Sequence, residues 1–412
     1  VAIPHSGLEF GLSGLFGENM VGQLAEVPGI DAILFGHSHG EFPGLFFTRH
    51  PKVNLERGTI NGVPAVMPGA WGSHLGLIDL VLDDSGGRWQ VKDARAFLRP
   101  VYDRAKRQPL VEPDPMVAQL IGEAHDATVA YMRAEVARTA APITSYFALV
   151  ADDPSVQVVA QAQRSYAEAA LKGTEYAALP LLSAAAPFKS GGRMGWNYYT
   201  DVPAGPIALR NVASLYIYPN TVKAVKLTGA QVREWLEMSA GQFNRIDPAG
   251  PAEQNLINDA YVAYNFDMIE GISYEIDVTQ PARYNPRGQL VSADAHRIVN
   301  LRYRGAPLDE KAAFVVVTNN YRASGGGGFP GLDGSNIVLD AQDQTRETLV
   351  QYLAAQKELD VRVDNNWRIR PVPGVKLRFL SGAAGVPLLP RYPQVKLVRE
   401  NTDGSALYEL AP

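Results

Sequence analysis

Apolar and polar positions over the first hundred residues alternate between two periods. "VAI" (1–3) and "DAILF" (31–35) are apolar runs of strand length, and "ENMVGQLAEV" between them spaces Met20, Leu24 and Val27 along one helical face. A strand, a crossover helix and a second parallel strand need roughly 30 residues. The two runs end in "PHSG" and "GHSHG", so His5 and His37, 32 residues apart, fall just past the carboxyl ends of neighbouring parallel strands. Open α/β sheets hold their ligands at that edge. "GVPAVMPGAWGSHLGLIDLVLDD" and "WQVKDARAFLRPV" then predict β runs that finish a sheet by about residue 101.

A charged, proline-rich linker, "YDRAKRQPLVEPDP", leads into a helix start signal: Asp114 as N-cap and Pro115 at the first helical position. Val117, Leu120, Ile121, Ala124, Thr128 and Tyr131 give that helix an apolar stripe, and it reads as a connector between two domains. The division predicted is 1–112, a connector over 113–139, and a second α/β unit over 140–412. Asp153 and Pro154 repeat the start signal for "PSVQVVAQAQRSYAEAALKG", which Gly173 should end. Apolar β runs follow at "AALPLLSAAAPF", "ASLYIYPNTVKAVKLT", "ISYEIDVT", "RIVNLRYRG" and "AAFVVVTNNY". Thr228 and Gln231 form a capping box ahead of "VREWLEMS", and "QTRETLVQYLAAQKEL" is a last helix before strand-like segments.

At 412 residues the chain exceeds one typical core, which agrees with that division. A net charge of −5 gives no basic footprint, so a nucleic-acid polymer is not an expected partner, while small anionic ligands remain open. The absence of cysteine excludes disulfides, thiolate catalysis and Cys-based zinc sites. No apolar run approaches the roughly 20 residues that span a bilayer, so no membrane association is expected. The opening "VAIPHSGLEF" has no signal-peptide pattern and no initiator Met, and it reads as the middle of a domain.

Three histidines carry the first candidate chemistry. His37 and His39 flank one residue on a turn between Gly36 and Gly40. Neutral imidazoles there suit zinc, manganese, iron or nickel, whereas alone they read more readily as an ordinary polar turn. His5, at crossover distance, adds weight to the metal reading. A second constellation is "KSGGR" (189–193), "YIYPNT" (216–221) and "TNNYRASGGGGFPG" (318–331), each closing a β run. Tyrosines from two such turns could sandwich a nucleobase, at about 1–3 kcal/mol per stacked base. Arg193, beside glycines, suits phosphate or ribose. Half-buried packing is the alternative for these tyrosines. Asp294 and His296 in "ADAH" have metal-site spacing but sit where a hairpin turn is expected, and His50, His74 and His125 show no metal-ligand pattern in the sequence, so surface or packing roles are expected for them.

With these residues in view, the chain resembles the 5′-nucleotidase family, in its branch of bacterial periplasmic 2′,3′-cyclic-nucleotide 2′-phosphodiesterase/3′-nucleotidases. The likeness runs over essentially the whole chain. It is most specific at "HSGLE", "FGHSHGEFPG", "SYFALVADDPSVQ", "LRNVASLYIYPNT", "YNFDMIEGISYEIDVTQPARY" and "NNYRASGGGGFPG". The resemblance implies an α/β protein: the C-terminal half of a calcineurin-like metallophosphoesterase αββα sandwich, a linker helix, and a 5′-nucleotidase C-terminal substrate-recognition domain. It implies two divalent ions (manganese, zinc, cobalt or iron), with His5 and His37 on one and His39 on the other. It implies a base held between Tyr218 and Tyr321, polar contacts from Asn220 and Arg193, and Asn265 of "YNFD" nearby in the same pocket.

The implied activity opens 2′,3′-cyclic nucleotides to 3′-nucleotides and hydrolyses these to nucleoside and phosphate, in the periplasm. The family pattern also requires an N-terminal Asp-x-His, a bridging Asp and a Gly-Asn-His motif. Gly-Asn-His is absent here, and the one Asp-x-His is "ADAH". The expectation is therefore a chain corresponding to the latter part of such an enzyme, with no catalytic residue of its own and negligible turnover. The alternative is a non-catalytic nucleotide-binding module.

Overall fold

The computed structural model describes residues 1–9, 19–103 and 106–411, so Glu18, which opens the first predicted helix, lies outside the described residues. The chain divides into two compact units, Val1–Glu123 and Ala124–Pro412.

The first unit is built on parallel pairing. Ala2 bridges Ile33, and strand Ile33–Leu34 pairs with strand Val63–Pro68 in register Ile33 to Ala65, both parallel. A short helix, Val21–Leu24, lies between the first two segments in sequence, as the periodicity predicts. Leu8, Val21, Ile33, Phe35, Phe42, Phe47, Ile60 and Met67 form the core beneath the sheet. The two later β runs become one long antiparallel hairpin, His74–Asp83 with Gln90–Pro100.

Helix Pro115–Met132 follows, opened by Asp114, whose carboxylate accepts from the Met116 amide at 2.8 Å. None of its residues is buried, and Leu120 is 77% exposed. The apolar period that locates this helix does not report burial.

The second unit centres on a five-stranded mixed sheet in the order Met268–Glu270, Leu181–Ala185, Ala313–Asn319, Thr221–Thr228, Ile337–Gln344. Within it, only the Leu181–Ala185 and Ala313–Asn319 pair is parallel. Helix Pro154–Ala170 packs on it through Val156, Val159, Ala160 and Ala167, and Gln163 donates to the Ala184 carbonyl at 3.0 Å. Its N-cap is Asp153, which accepts from the Ser155 amide at 2.9 Å, and Gly173 follows with φ 82°, as the sequence predicts. The Thr228–Gln231 capping box opens helix Gly229–Ser239.

One predicted strand is different. The apolar run "ASLYIYPNT" predicts an extension of the strand that follows it, yet Leu209–Leu215 is a helix and the strand begins at Thr221. Asn211 accepts from the Ala208 amide at 2.8 Å and so starts the helix. Arg346 then takes the carbonyls of Tyr216 (3.0 Å) and Ile217 (2.8 Å), which a strand ladder would have used. Among the described residues no helix is long and apolar enough to cross a membrane.

At the end of the sheet's edge strand Met268–Glu270, the carboxyl oxygens of Asp152, Glu270 and Asp364 lie within 4.8 Å of one another. Burial first, then the Asp364 charge, pushes Asp152 up to about 7, against the Asn365 and Asp153 amides that favour its ionised form. Burial, then Asp364 and Asp152, pushes Glu270 up to about 9, with Arg164 opposing. Both folded values lie above the unfolded carboxyl range near 4. The folded chain therefore binds more protons, and the stability present at acid pH is lost as the pH rises through about 7 and then about 9. We expect Glu270→Gln to flatten that decline. Urea midpoints at pH 5, 7 and 9 measure it; a decline as steep as the unaltered chain's contradicts the assignment.

Candidate functional site

Sheet polarity explains how the second unit gathers its candidate residues. Leu181–Ala185 and Ala313–Asn319 run parallel, so their carboxyl ends deliver 188–193 and 320–328 to one edge. The strands flanking them are antiparallel, and registers Ala185 to Met268 and Asn319 to Val222 bring the segments before those strands, 264–267 and 216–220, to the same edge. Four stretches distant in sequence therefore meet at one end of one sheet.

The aromatic groups at this edge are partly open. Tyr218 is 38%, Tyr264 37% and Tyr321 47% exposed. Tyr264 meets Tyr321 edge-on with centroids 6.5 Å apart, and Phe188 stands against Tyr218 at 5.1 Å and Tyr216 at 4.9 Å. Partial burial raises the Tyr218 phenol above its ordinary value, and the neighbouring phenols of Tyr198, Tyr264 and Tyr321 add to the effect. Flat, half-exposed rings converging from separate loops suit a planar heterocycle.

Beneath the rings lies a buried guanidinium. Arg322 is 2% exposed, and its Nε donates to Asp267 Oδ2 at 2.6 Å. Its Nη2 donates to the Tyr264 carbonyl (2.9 Å) and Asn265 Oδ1 (3.0 Å), and its Nη1 donates to the Gly326 carbonyl. The guanidinium carbon sits 3.8 Å from the centre of the Phe329 ring. Trp235 Nε1 completes the carboxylate, donating to Asp267 Oδ2 at 2.8 Å.

The glycines of "SGGGG" are needed for this packing. A Cβ on Gly326 would stand 2.5 Å from Tyr321 Cδ1, and one on Gly327 would stand 2.3 Å from Arg322 Nη1. Gly325, Gly327 and Gly328 also have φ of 99°, 79° and 70°, a region that other residues rarely enter.

In the first unit His5 lies three residues past Ala2 and His37 three past Leu34, on adjacent parallel segments. His37 Nδ1 is 3.4 Å from His5 Nε2, with ring centroids 5.2 Å apart. That separation is long for a hydrogen bond. Two nitrogens each about 2.0–2.1 Å from a tetrahedral zinc ion stand roughly 3.3–3.4 Å apart, so the pair fits one ion. His37 and His39 have φ of 67° and 56°, strained for residues with a side chain. Gly7, after His5, donates to Asn19 Oδ1 at 3.0 Å, and Ser6 Oγ accepts from the Met20 amide at 2.9 Å, which fixes the "PHSG" turn.

His39 is exposed, 6.0 Å from the Trp71 ring, and does not join the pair in a three-ligand cluster. Among the described residues the group meeting that criterion is Asp152, Glu270 and Asp364. His50 is buried against the Glu9 carbonyl at 2.8 Å, and His296 faces Glu237, 3.9 Å away.

Of the predicted contacts in the second unit, Tyr218, Tyr321, Asn220 and Arg193 lie on the gathered loops. Asn220 donates to Tyr216 Oη at 3.3 Å, and Arg193 is exposed on the short 3₁₀ turn Gly192–Met194. Asn265 is 4% exposed and belongs to the support under the rings. Sequence reasoning missed Tyr198, Tyr264, Arg322 and Asp267. Tyr264 precedes the noted Asn265, and Arg322 follows Tyr321, so adjacency was the available signal.

The chain has similar proteins among those already known. Residues 134–334 match the family profile described as 5′-nucleotidase, C-terminal domain. A Bacillus subtilis (strain 168) protein named trifunctional nucleotide phosphoesterase protein YfkN is 46% identical over 412 residues, covering 100% of this chain and 28% of that protein. A Salmonella typhimurium protein named 2′,3′-cyclic-nucleotide 2′-phosphodiesterase/3′-nucleotidase is 44% identical, covering 100% of this chain and 65% of its own length. The chain thus spans 28% to 65% of these relatives. The crystal structure of a putative 5′-nucleotidase from Staphylococcus aureus superposes with TM-score 0.57 at 21% identity, over 89% of this chain and 63% of that one, and shares the fold. Residues 134–334 thus match a 5′-nucleotidase C-terminal domain, and the whole chain is similar to part of these longer nucleotide phosphoesterases.

Proposed function

We propose that this chain serves the hydrolysis of 2′,3′-cyclic nucleotides to 3′-nucleotides, and of 3′-nucleotides to nucleoside and phosphate, with the second unit recognising the base. The observation that carries the reading is the meeting of Tyr218, Tyr264 and Tyr321 at one sheet edge, in a chain 44% identical throughout to a protein bearing that activity in its name. Tyr218 and Tyr321 hold the base by its faces, which every nucleobase offers. Asn220 and Arg193 supply polar contacts to the sugar or phosphate. Holding the nucleotide in one pose lowers the entropy cost of attack at phosphorus.

His5 and His37 would hold a divalent ion through the nitrogens that face each other at 3.4 Å, and His39 would contribute to a second ion only together with ligands beyond these three histidines. Such ions, when bound, acidify a water that attacks phosphorus. The resemblance supports manganese, zinc, cobalt or iron without choosing among them, and supports a periplasmic site of action.

A second reading is a nucleotide-binding module without turnover. The lack of a Gly-Asn-His motif in this sequence favours it, since a two-ion centre needs more ligands than three histidines, a bridging carboxylate among them.

Titration calorimetry with adenosine tests base recognition. We expect the Tyr218→Ala/Tyr321→Ala double variant to lose at least about tenfold in affinity; equal binding by both chains would sink the clamp. Titration with Mn²⁺ should give one site per chain, lost in His5→Ala/His37→Ala. With Mn²⁺ and adenosine 2′,3′-cyclic phosphate, the 412-residue chain alone should turn over negligibly. Rapid turnover would mean that the described histidines suffice for hydrolysis, and would overturn that expectation.

A further inference from the structure

Lys189 opens the turn that carries Arg193, and its surroundings are those of a cation awaiting an anion. The side chain is half-buried; Nζ donates to Ser214 Oγ at 3.0 Å and lies 5.3 Å from the centre of the Tyr198 ring. Phe188, the residue before Lys189, meets the Tyr218 ring edge-on with centroids 5.1 Å apart, so Lys189 sits on the loop that reaches the aromatic site.

The backbone there is fixed. Ser190 and Tyr199 form an antiparallel bridge, the Gly191 amide donates to the Tyr198 carbonyl at 2.8 Å, and Ser145 Oγ donates to the Lys189 carbonyl. Ser145 Oγ also accepts from the Thr200 amide at 2.8 Å. A Cβ on Gly191 would stand 2.0 Å from Tyr199 Oη, so the turn cannot be rebuilt with a larger residue there.

Among the described residues Lys189 forms no ion pair, its hydroxyl and ring contacts being neutral. Asp201 is the carboxylate whose charge reaches it, but that carboxylate accepts from Tyr146 Oη at 3.0 Å. Burial lowers the lysine's pKa in spite of Asp201. An ammonium partly withdrawn from water, with a hydroxyl and an aromatic face as its neighbours, gains most from a charged acceptor.

Resting on the nucleotide-binding reading above, we propose that Lys189 is a further substrate-binding residue whose ammonium takes the ligand's phosphate beside Arg193. The second unit then reads phosphate as well as base. Adenosine and adenosine 3′-phosphate, titrated into the intact chain and its Lys189→Met and Lys189→Arg variants, test this. Loss of a charge-assisted hydrogen bond should weaken adenosine 3′-phosphate about tenfold in Lys189→Met. Adenosine affinity should be unchanged, which also reports an intact fold, and Lys189→Arg should restore most of the loss.

Equal weakening of both ligands would make Lys189 a packing residue and overturn the assignment. No change for either ligand would overturn it as well. An unaltered chain that binds neither compound would instead defeat the base-clamp reading, and this assignment with it.

Discussion

A guanidinium shut away from water must be surrounded by acceptors, and Arg322 satisfies that requirement by drawing separate segments of the second unit onto itself. Asp267 balances its charge, while the carbonyls of Tyr264 and Gly326 and the side chain of Asn265 take the remaining N–H groups. Removing one partner of a buried ion pair costs about 3–5 kcal/mol, because the other charge is left uncompensated. The segments carrying Tyr264 and Tyr321 are therefore tied to the charge beneath them. Tyr321 is covalently next to the guanidinium, and Tyr264 is held through its own carbonyl.

Both units use strand direction in the same way. In the first, two parallel segments end in histidines; in the second, two parallel strands end in the Lys189–Arg193 turn and in Tyr321 with its glycines. Antiparallel neighbours then contribute from the segments that precede them. Side chains with chemistry sit on the connecting loops, while the two parallel strands beneath, Leu181–Ala185 and Ala313–Asn319, are mostly apolar, as Val315, Val316 and Val317 illustrate. Loops on a rigid sheet can vary in what they present without disturbing the core.

This division of labour decides what could be read from the sequence. Apolar period and strand-end position were enough to bring His5 towards His37 and to place Tyr321 just past its strand, because those signals are local, whereas Tyr218 follows a helix where a strand was expected. Arg322 looked like one more polar residue in a polar loop. Its burial depends on Asp267, 55 residues away, and no local pattern carries that information. The helix before Tyr216 was hidden for a related reason: Asn211 starts it and Arg346, 130 residues on, claims the carbonyls that follow. The stripe on Pro115–Met132 shows the converse, a correct period on a helix that buries no residue.

Gly288 and Gly328 pack backbone against backbone. A Cβ on Gly288 would lie 1.9 Å from the Gly328 carbonyl oxygen, and one on Gly328 would lie 2.8 Å from the Arg287 carbonyl oxygen. Trimming a neighbouring side chain cannot relieve either clash, because the obstacle is main chain. A laboratory selection starting from a replacement at either position would therefore recover true revertants rather than second-site suppressors, and sequence drift in this loop pair should be channelled into the residues around these two.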